Sequence, residues 1–223
     1  PGYPLATCLA SFSVAIVSLR GFQMTCDTRL SAQPQDGSRM PRPKKVSDID
    51  VLNAALEVLA EKGAGFTLSD VASRVALSRA TLIQRFGDRD AILHRMARHE
   101  VDTTRAWLAE LPVNRGKDNL WQFLVEIVES MGSGEGFSAR VAIAALEARD
   151  PILRACANER YQLVQAAIAA RLTGHQDAEE IAAHLHAIIA GATMQWVASD
   201  GRVPLPAFVL ERLETAFKWL PID

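Results

Sequence analysis

The chain has 223 residues, of which 49% are hydrophobic, 22% charged and 6% aromatic, and its formal net charge is -2. This is the composition of an ordinary globular protein with room for a sizeable core, and it excludes both a disordered chain and an overall polycation. Cys8, Cys26 and Cys156 are far apart and odd in number, which excludes a disulfide framework or a CxxC zinc pattern; no apolar run reaches the roughly 18 residues of a membrane span.

Residues 1–39 differ in character from the rest of the chain. The uncharged apolar run at 5–19 has its first basic residue, Arg20, after it, whereas a signal peptide has a basic start before the run. Residues 21–40 are rich in turn formers and show no period. From Met40 onward every segment reads cleanly. The expectation is a natural start at Met40 with 1–39 as an added upstream extension; a poorly ordered natural arm and a cleaved export signal are the alternatives. Charge is uneven as well. Met40 to Glu100 holds ten basic and eight acidic residues, and Val101 to Asp223 holds eleven and sixteen. A basic front and an acidic back suggest two functions in one chain.

The apolar period past Met40 is close to 3.6 nearly throughout. Ser47, with Asp50 three residues on, caps a helix whose stripe is Ile49, Leu52, Leu56 and Leu59, ended by Gly63 and Gly65. Thr67 and Asp70 cap a second helix carrying Leu68, Val71, Ala72 and Val75. Ser78 caps a short third helix with Leu82 and Phe86, broken by Gly87. Asp88 starts a long helix that runs toward Leu111 and stops at Pro112. Further helices are expected from Asp118 to Met131, over 139–149, from Pro151 to about Leu172, from Asp177 to about Ser199, and over a final stretch through Val209, Leu213, Phe217 and Leu220. Gly-rich 132–138 and residues 200–206 read as loops. No segment alternates long enough to be a convincing strand, so the fold class is all-α.

The informative stretch is 67–86, a helix, a three-residue turn and a second short helix. That is the helix-turn-helix arrangement, whose second helix enters the major groove of DNA. Leu82 and Phe86 share one face of that helix, which must be buried. Ala80 and Gln84 lie opposite, flanked by Thr81 and Arg85. Small Ala80 allows close backbone approach, Gln84 can pair adenine, and Arg79 or Arg85 can pair guanine or phosphate. The helix start at Ser78 leaves N–H groups free for a phosphate. The tract Arg42, Lys44 and Lys45 fits an arm on the DNA backbone or in the minor groove, and Arg89 fits a phosphate contact. A solvated tail and a surface ion pair are the respective alternatives.

On these residues, Ile49 to Leu93 resembles the DNA-binding domain of TetR-type transcriptional repressors. Ala54, Ala55, Leu56, Leu59 and Gly63 match the family's first helix and its terminating glycine. Thr67, Val71, Ala72, Ser78, Thr81, Leu82 and Phe86 match its helix-turn-helix. Arg89, Asp90 and Leu93 match the opening of its fourth helix. The chain departs at Ala76, where the family usually has Gly, at Ile83, often Tyr, and at Arg85, often His. Ala76 implies a slightly strained or altered turn, Ile83 offers a contact to a thymine methyl in place of a phosphate hydrogen bond, and Arg85 restores a phosphate contact.

The resemblance implies a DNA-binding domain over 40–98 and a helical effector-binding and dimerisation domain over 99–223. It implies a ligand-responsive repressor that binds a palindromic operator on double-stranded DNA as a homodimer, in the bacterial cytoplasm on the nucleoid. Thr67 joins Ser78, Arg79, Ala80, Thr81, Ile83, Gln84, Arg85 and Arg89 among the expected DNA contacts. Two-fold pairing of the last two helices through Ile181, Leu185, Ile188, Ile189, Trp196, Val209, Leu213 and Phe217 would make a four-helix seam; packing of both stripes within one protomer is the alternative. Between the two ends, Trp107, Trp121, Phe123, Met131, Phe137, Cys156 and Tyr161 are candidate linings for a small apolar or aromatic effector, with plain core as the competing reading of each. No GxSxG, HExxH or phosphate-loop pattern is present, and no enzyme activity, metal or cofactor is expected. Rival classes are a helical interaction or ligand-binding protein without DNA binding, and a DNA-binding activator or ligand-free repressor.

Overall fold

The computed structural model describes residues 46–134, 137–172, 174–199 and 201–220, the side chains of 137–140 excepted. The extension expected at 1–39 and the tract Arg42, Lys44 and Lys45 lie outside the described residues. Among those described, every regular element is helical.

Caps set the first four helices. In α1 (Asp48–Lys62) Ser47 Oγ accepts from the Asp50 amide and the Asp50 carboxylate accepts from the Ser47 amide. Such caps are worth about 1 kcal/mol each. The buried face of α1 is Val51, Leu52, Ala54, Ala55, Leu56, Val58 and Leu59. Ile49, expected on the stripe, is 51% exposed. The face centres on Ala55, and six residues of α-helical rotation place Ile49 about 120° away from it. After a 3-10 turn (Gly63–Gly65), α2 (Leu68–Arg74) repeats the device with Thr67 and Asp70. Lys62 donates to the same Asp70 carboxylate at 2.5 Å. That hydrogen bond, and then those from Thr67, hold the Asp70 carboxyl down at about 2. α3 (Arg79–Phe86) is capped by Ser78 and α4 (Arg89–Glu110) by Asp88.

The remainder comprises α5 (Lys117–Glu129), α6 (Phe137–Glu147), α7 (Pro151–Arg171), α8 (Ala178–Val197) and α9 (Leu205–Trp219). Pro151 opens α7, where its missing N–H costs nothing, and Asp150 accepts from the amides of Ile152 and Leu153.

Two apolar cores result. The first joins α1 to α3 with Ile92, Leu93 and Met96 of α4, and also takes in Leu153 of α7 with Ala142, Ile143 and Leu146 of α6 packed against it. The second joins Trp107 of α4 to α5, α7, α8 and α9. Helices α4 and α7 therefore run through both. His94 Nε2 lies 2.7 Å from Asp150 Oδ2, and Arg98 and Arg105 of α4 both reach Glu159 of α7, at 2.8 and 2.6 Å. Among the described residues, the buried guanidinium of Arg171 lies against the second core. Arg171 stacks on Phe123 at 3.5 Å and donates to the carbonyls of Ala167 and Pro112, fastening the α4–α5 connection.

His186 of α8 is 3% exposed, meets the Tyr161 ring edge-on at 5.4 Å, and has no hydrogen-bond partner at Nε2. Burial pushes its pKa down to about 4. Below its ordinary value near 6.5 the unfolded chain takes up a proton that the folded chain refuses. Stability should therefore fall as pH drops from about 6.5 to about 4, by up to about 3 kcal/mol. Chemical denaturation at pH 7, 5.5 and 4.5 measures this, and His186→Leu should flatten that part of the profile.

Candidate nucleic-acid interface

The pair α2–α3 owes its angle to a tight turn. The Leu77 amide donates to Ala72 O at 2.9 Å, closing the turn over Val75 and Ala76. Ala76 has φ 52°, and among the described residues it is the sole non-glycine with positive φ. A Cβ in that region costs roughly 1–2 kcal/mol, which is the strain expected at this departure from glycine.

One side of α3 is sealed. Leu82 is 0% and Phe86 5% exposed, both in the first core. The opposite side is open: Arg79, Ala80, Ile83 and Gln84 are exposed. Thr81 is half-buried, with Oγ1 2.8 Å from Ser78 Oγ, and its amide donates to Ser78 Oγ. The first amides of α3 have no acceptor within the helix. Thr67 is exposed, but its hydroxyl is occupied by Asp70 Oδ2 at 2.8 Å.

The arginines depart from expectation. Arg85 turns back to the Asp48 carboxylate at the start of α1, and its side chain is 13% exposed. Arg89 donates to Ala64 O at 2.6 Å, pairs with Asp90 at 3.0 Å, and stacks on Phe66 at 4.7 Å. In place of the expected phosphate contacts, both guanidinium groups are bonded within the protein here, and the Arg89–Asp90 pair matches the surface ion pair given as its alternative. Arg74 is likewise paired with Glu57 and Glu61. Among the described residues of α2 and α3, Arg79 is the arginine that makes no ion pair. Asp48 was not legible in the sequence, since its partner lies 37 residues away and only the fold brings the two together.

The effector candidates are mostly packing residues. Trp107, Phe123 and Met131 belong to the second core, and Trp121 stacks on Phe217 at 5.4 Å. Cys156 is a buried free thiol, and Tyr161 is exposed beside His186. The Phe137 side chain lies outside the described residues. A cleft the sequence did not reveal opens at the first core, between α1, α4, α6 and α7. Leu56, Met96, Ile143 and Leu153 line it beside the Glu147–Arg160 pair at 3.2 Å.

Of the seam candidates, Ile181, Leu185, Ile189, Val209, Leu213 and Phe217 are buried in their own protomer's core, the packing given above as the alternative reading of these stripes. Ile188 and Trp196 pack against the same core. Trp196 also covers Gly134, where a Cβ would lie 2.3 Å from the indole, and donates Nε1 to Val203 O.

Residues 51–96 match the family model of bacterial regulatory proteins of the tetR family. No curated protein matches the chain. Among solved structures, a transcriptional regulator from Rhodococcus sp. Rha1 is similar with a TM-score of 0.67 and 22% identity, over 78% of this chain and 95% of that one. A protein described as a transcriptional regulator from Saccharomonospora viridis, in complex with choline, gives 0.62 and 22%, over 79% and 97%. One described as a TetR-family regulator from Rhodococcus sp. gives 0.57 and 19%, over 76% and 98%. These structural likenesses are of fold.

Replacing Ala76 by Gly removes the Cβ from a left-handed position, a gain that exceeds the added freedom of the unfolded chain. Ala76→Gly should raise stability by about 1 kcal/mol, read as an upward shift of the thermal midpoint.

Proposed function

We propose, on the premise that residues 51–96 are the amino-terminal domain of a TetR-family transcriptional regulator, that this protein is a repressor that docks α3 in the major groove. The observation that carries this reading is the two-sided character of α3, with Leu82 and Phe86 sealed and Arg79, Ala80, Ile83 and Gln84 open. Gln84 offers a bidentate pair to adenine, Ile83 meets a thymine methyl, and Arg79 meets guanine or phosphate. Ser78 and Thr81 border the helix start, where a phosphate is received. Thr67 and Arg89 hold the ends of the neighbouring helices beside it.

Two copies are needed to read half-sites about 34–36 Å apart on a palindromic operator. The outward face of α8 suits that homodimer. Ala187, Gly191 and Met194 are exposed along it, and a Cβ at Gly191 would meet open space. Small residues let two such helices approach closely. A small apolar or aromatic effector then binds the body and shifts the pair of α3 helices out of register with the groove, as a population shift between two dimer geometries. The choline complex of the Saccharomonospora viridis structure supports a small-molecule site in this fold.

Titration of labelled DNA from the region flanking the protein's own gene tests the reading. Gln84→Ala should weaken binding by about tenfold to a hundredfold, the worth of one bidentate base contact. Arg79→Ala should make the dependence of log affinity on log salt shallower by about 1. Unchanged affinity in both variants would remove this face from the interface. Met194→Arg should give a monomer by light scattering and lose operator affinity with it.

A further inference from the structure

We infer that Asp48, acting through Arg85, is the positioning residue that fixes the angle at which α3 meets DNA, an inference that rests on the DNA-binding reading of α3. Leu82 and Phe86 bury one side of a helix of only eight residues. Apolar contacts are non-directional, so two of them close together oppose withdrawal of the helix but resist its rotation weakly. A directional tie at the far end completes the constraint. Arg85 supplies it from the last turn of α3, with its guanidinium bonded to Asp48 at the start of α1.

The surroundings show that Arg85 is committed to this partner. Arg95 of α4 approaches the other oxygen of Asp48 at 3.9 Å. The Arg85 and Arg95 guanidinium groups lie 5.4 and 5.0 Å from the centre of the Phe86 ring. One carboxylate thus joins α1, α3 and α4 around an aromatic side chain of the helix it steers. Arg85 Nε is buried and has no hydrogen-bond partner. A guanidinium drawn this far out of water is costly to leave unpaired, and an arginine turned to a phosphate would have to give up Asp48 first.

Charge and position predict opposite signs for one substitution. Asp48→Asn removes a negative charge near the docking side. By charge alone it tightens binding to every duplex. If Asp48 positions α3, it loosens binding to the operator and leaves random duplex unaffected or slightly tighter, because non-specific affinity follows phosphate neutralisation rather than helix angle. The experiment measures the affinity of the full chain for an operator selected from random DNA and for a scrambled duplex, from 50 to 200 mM salt. Circular dichroism reports whether each variant is folded.

Asp48→Asn and Arg85→Ala should each reduce the operator-to-scrambled ratio by about tenfold, and the double variant should do little worse, since both break one tie. The salt slope of Arg85→Ala should match wild type, whereas a lost phosphate contact would make it shallower by about 1. Asp48→Glu, which keeps the carboxylate, should restore most of the ratio. A purely structural role would lower the folded fraction and weaken both duplexes alike. The inference is overturned if Asp48→Asn tightens both duplexes equally, or if Arg85→Ala flattens the salt slope while Asp48→Asn keeps full selectivity. Wild-type protein that enriches no duplex at all would contradict the DNA-binding reading and this inference together.

Discussion

A helix of eight residues in water does not hold its own shape, because nucleation costs more than so few hydrogen bonds return. α3 exists as a helix because Leu82 and Phe86 enter the core built by α1, α2 and α4 and because Ser78 closes its first turn. The same burial leaves its other side facing water. Everything proposed for this protein depends on that division, since a helix sealed on both sides reads nothing and one sealed on neither would not be formed. The neighbouring ties serve the division. Lys62 and Asp70 lock α2 to α1, and Arg89 fastens the start of α4 to the loop after α1.

The first core does not end with the fourth helix. Ile143 and Leu146 of α6 and Leu153 of α7 pack into it, while α4 and α7 continue into the second core. α1 and α4 are thus joined to the body by packed side chains. The His94–Asp150 and Arg98–Glu159 pairs are partly exposed and contribute little to stability by themselves. Geometrically they tie α4 to α7.

Local signals were legible in the sequence and tertiary ones were not. The caps at Ser47, Thr67, Ser78 and Asp88 and the paired apolar positions Leu82 and Phe86 depend on residues within four positions of one another, so spacing reveals them, whereas the strain at Ala76 was implied by the family resemblance. The arginine partners depend on chain segments that meet only in the folded state. Arg85 finds Asp48 and Arg89 finds the carbonyl of Ala64 across 37 and 25 residues. The role of the α8 and α9 stripes was open in the sequence for a related reason. An apolar face is the same in sequence whether it meets its own core or a partner copy, and here Ile181, Leu185, Val209 and Leu213 fill their own core.

Whether the open side of α3 lies against base edges can be seen directly with a photoreactive amino acid placed at position 84. Irradiated on duplex DNA that the protein has enriched from a random pool, it should join to bases at two positions one helical turn apart, and a probe at buried position 82 should join to none. Crosslinks from position 84 only within the protein, or equal yields from both positions, would contradict the account.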